Sequence, residues 1–174
     1  MINKNQLTEQ SFTPSQLSGF DGTHSIQLPV DFIHDLSKAD SLQAVLDTIA
    51  YWISHVFDAD RASITLQDTE EYLKLYSISG NHAIPMDFKI PIGQTFVGRV
   101  FAQSQLIICD DLAQSDELDC KILSEHGMGT CMDAPMIHNG VCIGTLNVAD
   151  QRKHHYTLQR DSFTESRHLV SFEH

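Results

Sequence analysis

Several features are missing from this 174-residue sequence, and each absence narrows what the protein can be. No apolar run comes near the ~20 residues that a membrane-spanning helix needs. The first twelve residues, MINKNQLTEQSF, are polar and lack the apolar core of a signal peptide. Neither the CxxC pair of zinc sites nor the GxSxG motif of serine hydrolases occurs. We therefore expect a cytoplasmic protein, or a cytoplasmic piece of a larger one, with no metal site and no catalytic residue.

Positive charge is scarce as well. The chain has 11 Lys and Arg against 23 Asp and Glu, which gives a formal net charge of −12. Such a field repels polyphosphates and anionic surfaces. We expect neither nucleic acid nor a membrane as a partner. Hydrophobic residues make up 41 % of the chain, enough at this length for one domain with its own core.

The four cysteines, at positions 109, 120, 131 and 142, are spaced at equal intervals of eleven residues. The segments between them share no pattern, so the spacing does not indicate a repeat. Three of them lie in apolar, strand-like runs, where a free cysteine behaves as a small hydrophobic residue. In a reducing compartment we expect no disulfides.

The first part of the chain divides into a polar segment and a helical one. Residues 1–28 are rich in Ser, Thr, Gln and Gly without a sustained period, which predicts a tail or linker ahead of a single domain at 29–174. A broad apolar stripe at helical spacing predicts a helix over residues 42–56, with Asp40 or Ser41 as its N-cap.

The rest of the chain alternates strand and helix patterns. The alternation in RASITLQ predicts a half-buried strand. Asn139-Gly140 predicts a tight hairpin, Gly127 a helix C-terminus, and Gly144 a bulge or a close backbone approach. The predicted strands cover 61–67, 72–79, 88–92, 106–109, 130–137 and 141–149. A first, short helical region begins at Pro29, and the other predicted helices cover 42–56, 96–101, 117–126 and 157–172. Hairpin connections make the sheet mainly antiparallel, so the fold class is α+β.

The segment GQTFVGRV raises the question of phosphate binding. A phosphate loop has the form GxxxxGK[ST], whose Lys reaches the phosphates and whose hydroxyl holds magnesium. Arg99 and Val100 stand at those two positions. We therefore interpret Gly93 as permitting a tight turn and Gly98 as permitting close packing of the helix.

Polar side chains beside apolar strands are the candidate ligand contacts. Asp110 and Asp111 follow a strand, and one of them is either a ligand acceptor or an N-cap. Asp133 lies in an otherwise apolar strand, where a carboxylate is costly unless it is paired. It is either a ligand anchor or the partner of a His or Arg from a covering helix. Asn147, on the last strand of the hairpin, can bind a ligand, lie under the helices or face solvent.

Two motifs in this order resemble the GAF domain family: IPIGQTFVGRVFAQSQLIICDD at 90–111 and GMGTCMDAPMIHNGVCIGTLNVAD at 127–150. The resemblance covers about residues 38–172. It implies a GAF/PAS-like domain with a central antiparallel sheet of about six strands and helices on both faces. The helices and loops of 93–128 would enclose a small-molecule pocket, and the first and last helices would pair with a second subunit.

The resemblance also implies a function. GAF domains serve as sensory or dimerising modules ahead of cyclases, kinases, phosphodiesterases or transcriptional regulators. The Asn-Lys-Phe-Asp-Glu motif of the cyclic-nucleotide subset is absent. Free-methionine-sulfoxide reductases share this fold and use cysteines, one of them where this chain has Val97, and Cys120 and Cys131 match the other positions only loosely. Bilin-binding members attach the chromophore to a Cys before a His, whereas Lys121 follows Cys120.

We therefore expect a non-catalytic sensory GAF domain of a signalling protein. It would bind an unidentified small molecule, form a homodimer and transmit the ligand state through its terminal helices to an output domain; no cofactor is indicated. The alternatives are a structural dimerisation module without a ligand and a thiol reductase of the methionine-sulfoxide type. The residues expected to line the pocket are Phe96, Cys109, Asp111, Leu123, Met128, Cys131, Asp133 and Asn147.

Overall fold

The computed structural model describes residues 8–17, 28–160 and 168–172, and the side chains of all of these up to Tyr156. This part of the chain contains nine strands and five α-helices. In chain order they are β1 (Glu9–Phe12), α1 (Pro14–Leu17), α2 (Val30–Ser37), α3 (Leu42–Val56), β2 (Arg61–Gln67), β3 (Tyr72–Gly80), β4 (Lys89–Pro91), α4 (Phe96–Gln103), β5 (Leu106–Cys109), α5 (Leu118–Glu125), β6 (Thr130–His138), β7 (Val141–Asp150), β8 (Tyr156–Arg160) and β9 (His168–Phe172).

A seven-stranded antiparallel sheet forms the centre of the fold, in the order β1-β5-β6-β7-β2-β3-β4. The predicted α+β class and antiparallel sheet are confirmed, with seven strands where about six were expected. The additional strand comes from the segment predicted as a tail: Glu9–Phe12 pairs with Leu106–Cys109 at the edge of the sheet. The division of the chain at residue 29 stays a prediction.

Helices cover both faces of the sheet. On one face α3 lies against β2 and β3. At the C-terminal end of this helix, Ile53 and Phe57 pack on the apolar cluster that contains Ala62 and Met132. On the other face α4 and α5 form a roof, with Phe96, Val97, Val100 and Leu123 in the larger apolar cluster. We refer to α4 and α5 together as the roof.

Local sequence signals account for most helix ends. Ser41, one of the two predicted N-caps, accepts a hydrogen bond from the Ala44 N–H at 3.1 Å. Thr95 caps α4 in the same way, accepting from the Gly98 N–H at 3.0 Å. After α5, Gly127 has a φ of +87°, the left-handed conformation expected just past a helix.

The hairpin of β6 and β7 is also confirmed. Asn139 and Gly140 have φ values of +50° and +77°, as a two-residue turn of the primed type requires. Gly144 marks a close approach: a Cβ there would meet the Thr65 carbonyl oxygen of β2. The pairing of β6 with β7 is irregular at the same place, between Met136 and Ile137.

Two predictions are corrected. The expected helix over Thr157–Phe172 is replaced by β8 and β9, which pair antiparallel as a separate two-stranded sheet with Leu158 opposite Val170; residues 161–167 lie outside the described part. The apolar positions there are too sparse to give a helix a continuous buried stripe. The strand at 61–67 is not half-buried, since Arg61–Thr65 are all buried. A central strand with helices over both faces has no solvent face.

We predict opposite outcomes for alanine at the two glycines of GQTFVGRV. At Gly98 a Cβ would press on the Ile92 carbonyl oxygen and lie 2.5 Å from the Ile92 Cα, so Gly98→Ala should lower the free energy of unfolding by about 1–3 kcal/mol. At Gly93 a Cβ would meet nothing within 4 Å, so Gly93→Ala serves as the matched control. Chemical denaturation measures both, and equal stability of the two variants would contradict this packing.

Candidate functional site

A cavity lies between the sheet and the roof. It encloses about 410 Å³ of empty space, part of it open to solvent, and the centre of a water molecule can occupy about 40 Å³ of it. Its apolar walls are Leu75, Ile84, Ile90, Val97, Leu123, Cys131, Val148 and Ala149. Its polar lining consists of Arg61, Ser63, Thr65, Asp119, Asp133 and Asn147.

The floor of the cavity carries a polar row that crosses three neighbouring strands. Asp133 on β6 is paired with Asn147 on β7, and Asn147 is paired with Ser63 on β2. Directly paired residues point to the same face of a sheet and lie side by side. The Asn147 Nδ2 donates to the Ser63 Oγ at 3.3 Å, whereas the buried Asn147 Oδ1 has no hydrogen-bond partner within the described residues.

Asp133 is the second acceptor of the row. Its side chain is buried, and no hydrogen bond or ion pair joins it to the described part of the chain. Burial raises the pKa of Asp133 well above its usual range, the Asp119 carboxylate raises it further, and the attraction of Arg61 opposes both. The group is therefore a carboxyl whose ionised form lacks a direct counterion.

Arg61 supplies the positive charge of the cavity. Its guanidinium donates to the Asn81 carbonyl oxygen at 2.5 Å and to the Ile84 carbonyl oxygen at 3.2 Å. Burial lowers the pKa of Arg61 to about 10, against the attraction of Asp133, so the side chain stays charged at neutral pH. These bonds hold the 81–84 loop against the start of β2.

Asp119 connects the two helices of the roof. Its Oδ1 accepts from the Phe96 N–H at 2.8 Å and from the Cys120 N–H at 3.0 Å, and its Oδ2 accepts from the Val97 N–H at 3.0 Å. Burial raises the pKa of Asp119, and the hydrogen bonds from Val97 and Phe96 counteract part of that shift. The carboxylate thus satisfies N–H groups of the first turn of α4 from the first turn of α5.

Four of the eight residues expected in the pocket line this cavity: Leu123, Cys131, Asp133 and Asn147. Phe96, Cys109 and Met128 lie in the apolar cluster that packs the roof onto the sheet. Asp111 lies outside the cavity. It accepts from the Ala113 N–H at 3.1 Å and from the Lys153 Nζ at 3.2 Å, so it is an N-cap of a short 3₁₀ turn at Leu112–Gln114.

The neighbouring Asp110 does not reach the cavity lining either. Its Oδ2 accepts from the Gln10 Nε2 of β1 at 3.5 Å, while its buried Oδ1 has no partner in the described part of the chain. Burial raises the pKa of Asp110, and the contact with Gln10 opposes the shift.

Sequence reasoning missed four polar lining residues. Arg61, Ser63 and Thr65 occupy alternate positions of β2, which the alternation assigned to solvent. These three residues are buried because β2 is paired with a strand on each side and therefore lies in the interior of the sheet, where its polar face is covered. Asp119 lies one helical turn before Leu123, on the same side of α5, and that i, i+4 spacing is a signal that could have found it.

Three of the four cysteines come together at the edge of the cavity. Cys109 and Cys131 are directly paired on β5 and β6, and the Cys120 thiol of α5 is within hydrogen-bonding reach of both. All three are buried. Burial raises the pKa of Cys131, and the Cys120 thiol and burial raise that of Cys109. Within the described residues no group of three His, Cys, Asp or Glu side chains is placed to hold a metal ion.

The comparisons with known proteins agree with this architecture. Residues 41–167, more than two thirds of the chain, match the GAF domain. The chain belongs to the GAF domain family. None of the curated proteins compared with this GAF domain matches it. No helix in the described residues is long and apolar enough to cross a bilayer.

Solved structures with the same fold come from several bacteria. The GAF domain of a phosphoenolpyruvate-protein phosphotransferase from Coxiella burnetii is 15 % identical, with 89 % of this chain and 81 % of that chain covered and a TM-score of 0.62. Its Acinetobacter counterpart is 14 % identical, with 82 % and 80 % covered and a TM-score of 0.60. A free methionine-R-sulfoxide reductase from Neisseria meningitidis is 19 % identical, with 74 % of each chain covered and a TM-score of 0.61. At these identities the likeness shows the fold alone.

We predict that Asp133→Asn stabilises the protein at neutral pH by about 1–3 kcal/mol, since it removes a buried carboxyl without a partner. Because burial raises the folded-state pKa of Asp133, the folded state binds this proton more tightly than the unfolded state does. The contribution of Asp133 to stability therefore falls as the pH rises past the pKa of this group in the unfolded state, about 3.9. The stability gained by Asp133→Asn should accordingly become smaller as the pH is lowered. Chemical denaturation across a pH series measures it.

The matched control is Asp150→Asn, which changes a buried carboxylate that has partners. Burial raises the pKa of Asp150, but hydrogen bonds from the Arg152 backbone and guanidinium outweigh it and hold the pKa below its usual range. This variant should be less stable than the wild type at neutral pH. A loss of stability in Asp133→Asn equal to that in Asp150→Asn would contradict our description of the cavity.

Proposed function

We propose that this GAF domain is a non-enzymatic sensory module that binds a small molecule in the cavity beneath the roof. The observation that carries the proposal is the polar row of Asp133, Asn147 and Ser63 in an otherwise apolar, enclosed space. The buried Asn147 Oδ1 has no hydrogen-bond partner in the described part of the chain, and no hydrogen bond to the Asp133 carboxylate forms there. Buried polar groups without partners are costly in a finished core and are typical of binding sites.

A ligand in this position touches elements that lead to other parts of the domain. Its contacts include Val97 and Leu123 of the roof, and Asp119 transmits any shift of α5 to the first turn of α4. On the floor it reaches β2, whose opposite face packs against α3. We propose that ligand occupancy biases the packing of α2 and α3 and thereby an output domain such as a cyclase, kinase, phosphodiesterase or transcriptional regulator.

The second part of the proposal is a homodimer formed through α2 and α3. No residue of α2 is buried, and Val30 and Ile33 are 82 % and 54 % exposed. Leu42 and Tyr51 of α3 are exposed as well, at 68 % and 48 %. Exposed apolar side chains on neighbouring helices favour association. We further propose a cytoplasmic setting, and the net charge of −12 disfavours nucleic acid and anionic membranes as partners.

One native mass spectrum of the purified chain tests both parts. We expect a dimer whose mass includes a retained small molecule. Ala149→Leu fills the cavity wall and should abolish retention, whereas Ala102→Leu, at an exposed position of α4, should not. If no compound is retained and no metabolite fraction raises the melting temperature, the domain is a structural module instead. A monomer at high concentration would exclude the dimer.

A second candidate function is thiol-dependent reduction of methionine sulfoxide. The contact of Cys109, Cys120 and Cys131 beside the cavity favours it, as does the fold shared with a free methionine-R-sulfoxide reductase. The burial of all three thiols and their raised pKa values disfavour it, because the thiolate is the nucleophile.

We predict no turnover of free methionine-R-sulfoxide above the background of a protein without these thiols. The assay compares the wild type with Cys120→Ser and Cys131→Ser in the presence of a dithiol reductant. Cys142→Ser is the control, because that thiol lies apart from the cluster and contacts the Gly144 carbonyl oxygen. Activity in the wild type that disappears in Cys120→Ser or Cys131→Ser and persists in Cys142→Ser would establish the reductase.

A further inference from the structure

We infer that the ligand of this cavity carries a protonated amine, which Asp133 and Asn147 bind together from the floor. The inference rests on the proposed small-molecule binding and adds the chemical class of the ligand. It is carried by the balance of donors and acceptors around the cavity, by the position of the charges and by the size of the space.

Acceptors around the cavity outnumber the donors that reach them. Asp119 already accepts from three backbone N–H groups, and the Thr65 and Thr145 hydroxyls are joined to each other at 2.6 Å. The Asn147 Oδ1 is buried without a donor in the described part of the chain, and the directly paired Asp133 carboxylate accepts no hydrogen bond there. An ammonium group has three N–H donors and no acceptor. It can therefore donate to both of these adjacent groups without bringing a further acceptor into the cavity.

The charges of the cavity favour a cation as well. Among the lining residues two carboxyls, Asp119 and Asp133, face the single cation Arg61, which gives a net charge of −1 once both are ionised. Burial and the Asp119 carboxylate raise the pKa of Asp133, so it holds a proton below that pKa until a cation replaces it. Arg61 directs its bonds to the Asn81 and Ile84 carbonyl oxygens, and no ion pair with Asp133 forms within the described residues. A cation seated on Asp133 neutralises this excess. A carboxylate or phosphate in the same place would meet two acidic groups, and a neutral alcohol would leave Asp133 without a counterion.

The size of the cavity limits the ligand group that it can hold. The space that water centres can occupy, about 40 Å³, fits a few water molecules or a ligand group of similar dimensions. Leu75, Ile90, Val97 and Leu123 wall it. The site therefore suits a primary amine on a short apolar chain. Arg61 lies on the same cavity, so an amine that also carries a carboxylate can engage both ends, and a free alkylamine can engage Asp133 alone.

The experiment compares four probes of one length: n-butylammonium, 4-aminobutanoate, butanoate and 1-butanol. Isothermal titration of the intact chain at neutral pH should give binding of the first or second probe and none of the last two. Preference between the two amines reports whether Arg61 takes part. Binding of butanoate or 1-butanol as tight as that of n-butylammonium would overturn the inference.

Variants separate the site from general electrostatics. Asp133→Asn should weaken amine binding by about ten- to a hundredfold, since it removes a charge-assisted hydrogen bond, and Asn147→Ala should weaken it less. Asp116→Asn makes the same change of charge at an exposed position before α5 and should leave the affinity unchanged. Because Asp133→Asn is expected to be more stable than the wild type, weaker binding in it does not report unfolding. Equal affinity in Asp133→Asn and the wild type would overturn the inference.

Proton release provides an independent readout. A bound cation stabilises the ionised form of Asp133, so binding should release a proton at pH values below the raised pKa of this group. The charged groups that act on it are Asp119 and Glu117 of the roof side and Arg61 of β2, and the Cys131 thiol is its neighbour on β6. Titrations in two buffers of different ionisation enthalpy measure the proton release. If the release is absent in Asp133→Asn, the proton comes from Asp133.

The failure of this inference and the failure of the proposed function give different results. If the purified protein retains a neutral or anionic compound that Ala149→Leu excludes, the cavity is a ligand site and the ammonium assignment is wrong. If nothing is retained and none of the four probes binds, the small-molecule function itself is wrong.

Discussion

Three backbone N–H groups converge on one buried carboxylate, and the arrangement of the roof depends on that convergence. Phe96 and Val97 begin α4, and a helix start has N–H groups that need an acceptor. Asp119 provides it from α5, so two helices of eight residues each become one unit. With the roof fixed in this way, the space above the centre of the sheet stays partly open although the surroundings are apolar.

The open space has a cost in stability that the rest of the core has to offset. Leu73, Ile107, Phe96 and Val100 are fully buried and supply apolar burial at the margin of the cavity. In the middle, Asp133 and Asn147 keep hydrogen-bonding capacity that nothing in the described chain uses. A buried carboxyl without a partner costs stability, and such costs are common at functional sites.

Local signals predicted those parts of the fold that local chemistry decides. Ser41 lies at the start of its helix and Gly127 just after the end of its helix, as predicted, and Asn139-Gly140 forms the hairpin turn. Caps and turns depend on a few neighbouring residues, so local sequence predicts them. The hairpin connections predicted the antiparallel sheet, and the resemblance to GAF domains supplied the roof. The C-terminal segment was misjudged, because residues such as Leu158 and Val170 fit a helix or a strand, and only pairing across the chain decides between them.

Four of the fourteen residues that line the cavity could be predicted, and the reason is geometric. Asp133 and Asn147 stood out as polar residues in apolar strands. Arg61 and Ser63 did not stand out, because polar positions in an alternating strand usually face solvent. They are buried here because β2 lies at the centre of the sheet, and the order of the strands cannot be deduced from one segment of the sequence. Asp111 looked functional, but its carboxylate is used locally as a cap. Such competition between local and distant partners is invisible until the chain is folded.

The order of strands also decides how the domain can meet other proteins. The sheet ends in β1, with four residues, and in β4, with three, the last of them a proline. An edge this short offers few free N–H and C=O groups to an incoming strand, and Pro91 has no N–H to offer. Strand addition is disfavoured at these two ends, whereas β4 covers only Tyr72–Lys74 of the nine-residue β3, and residues 75–80 have no strand on their outer side within the described part of the chain.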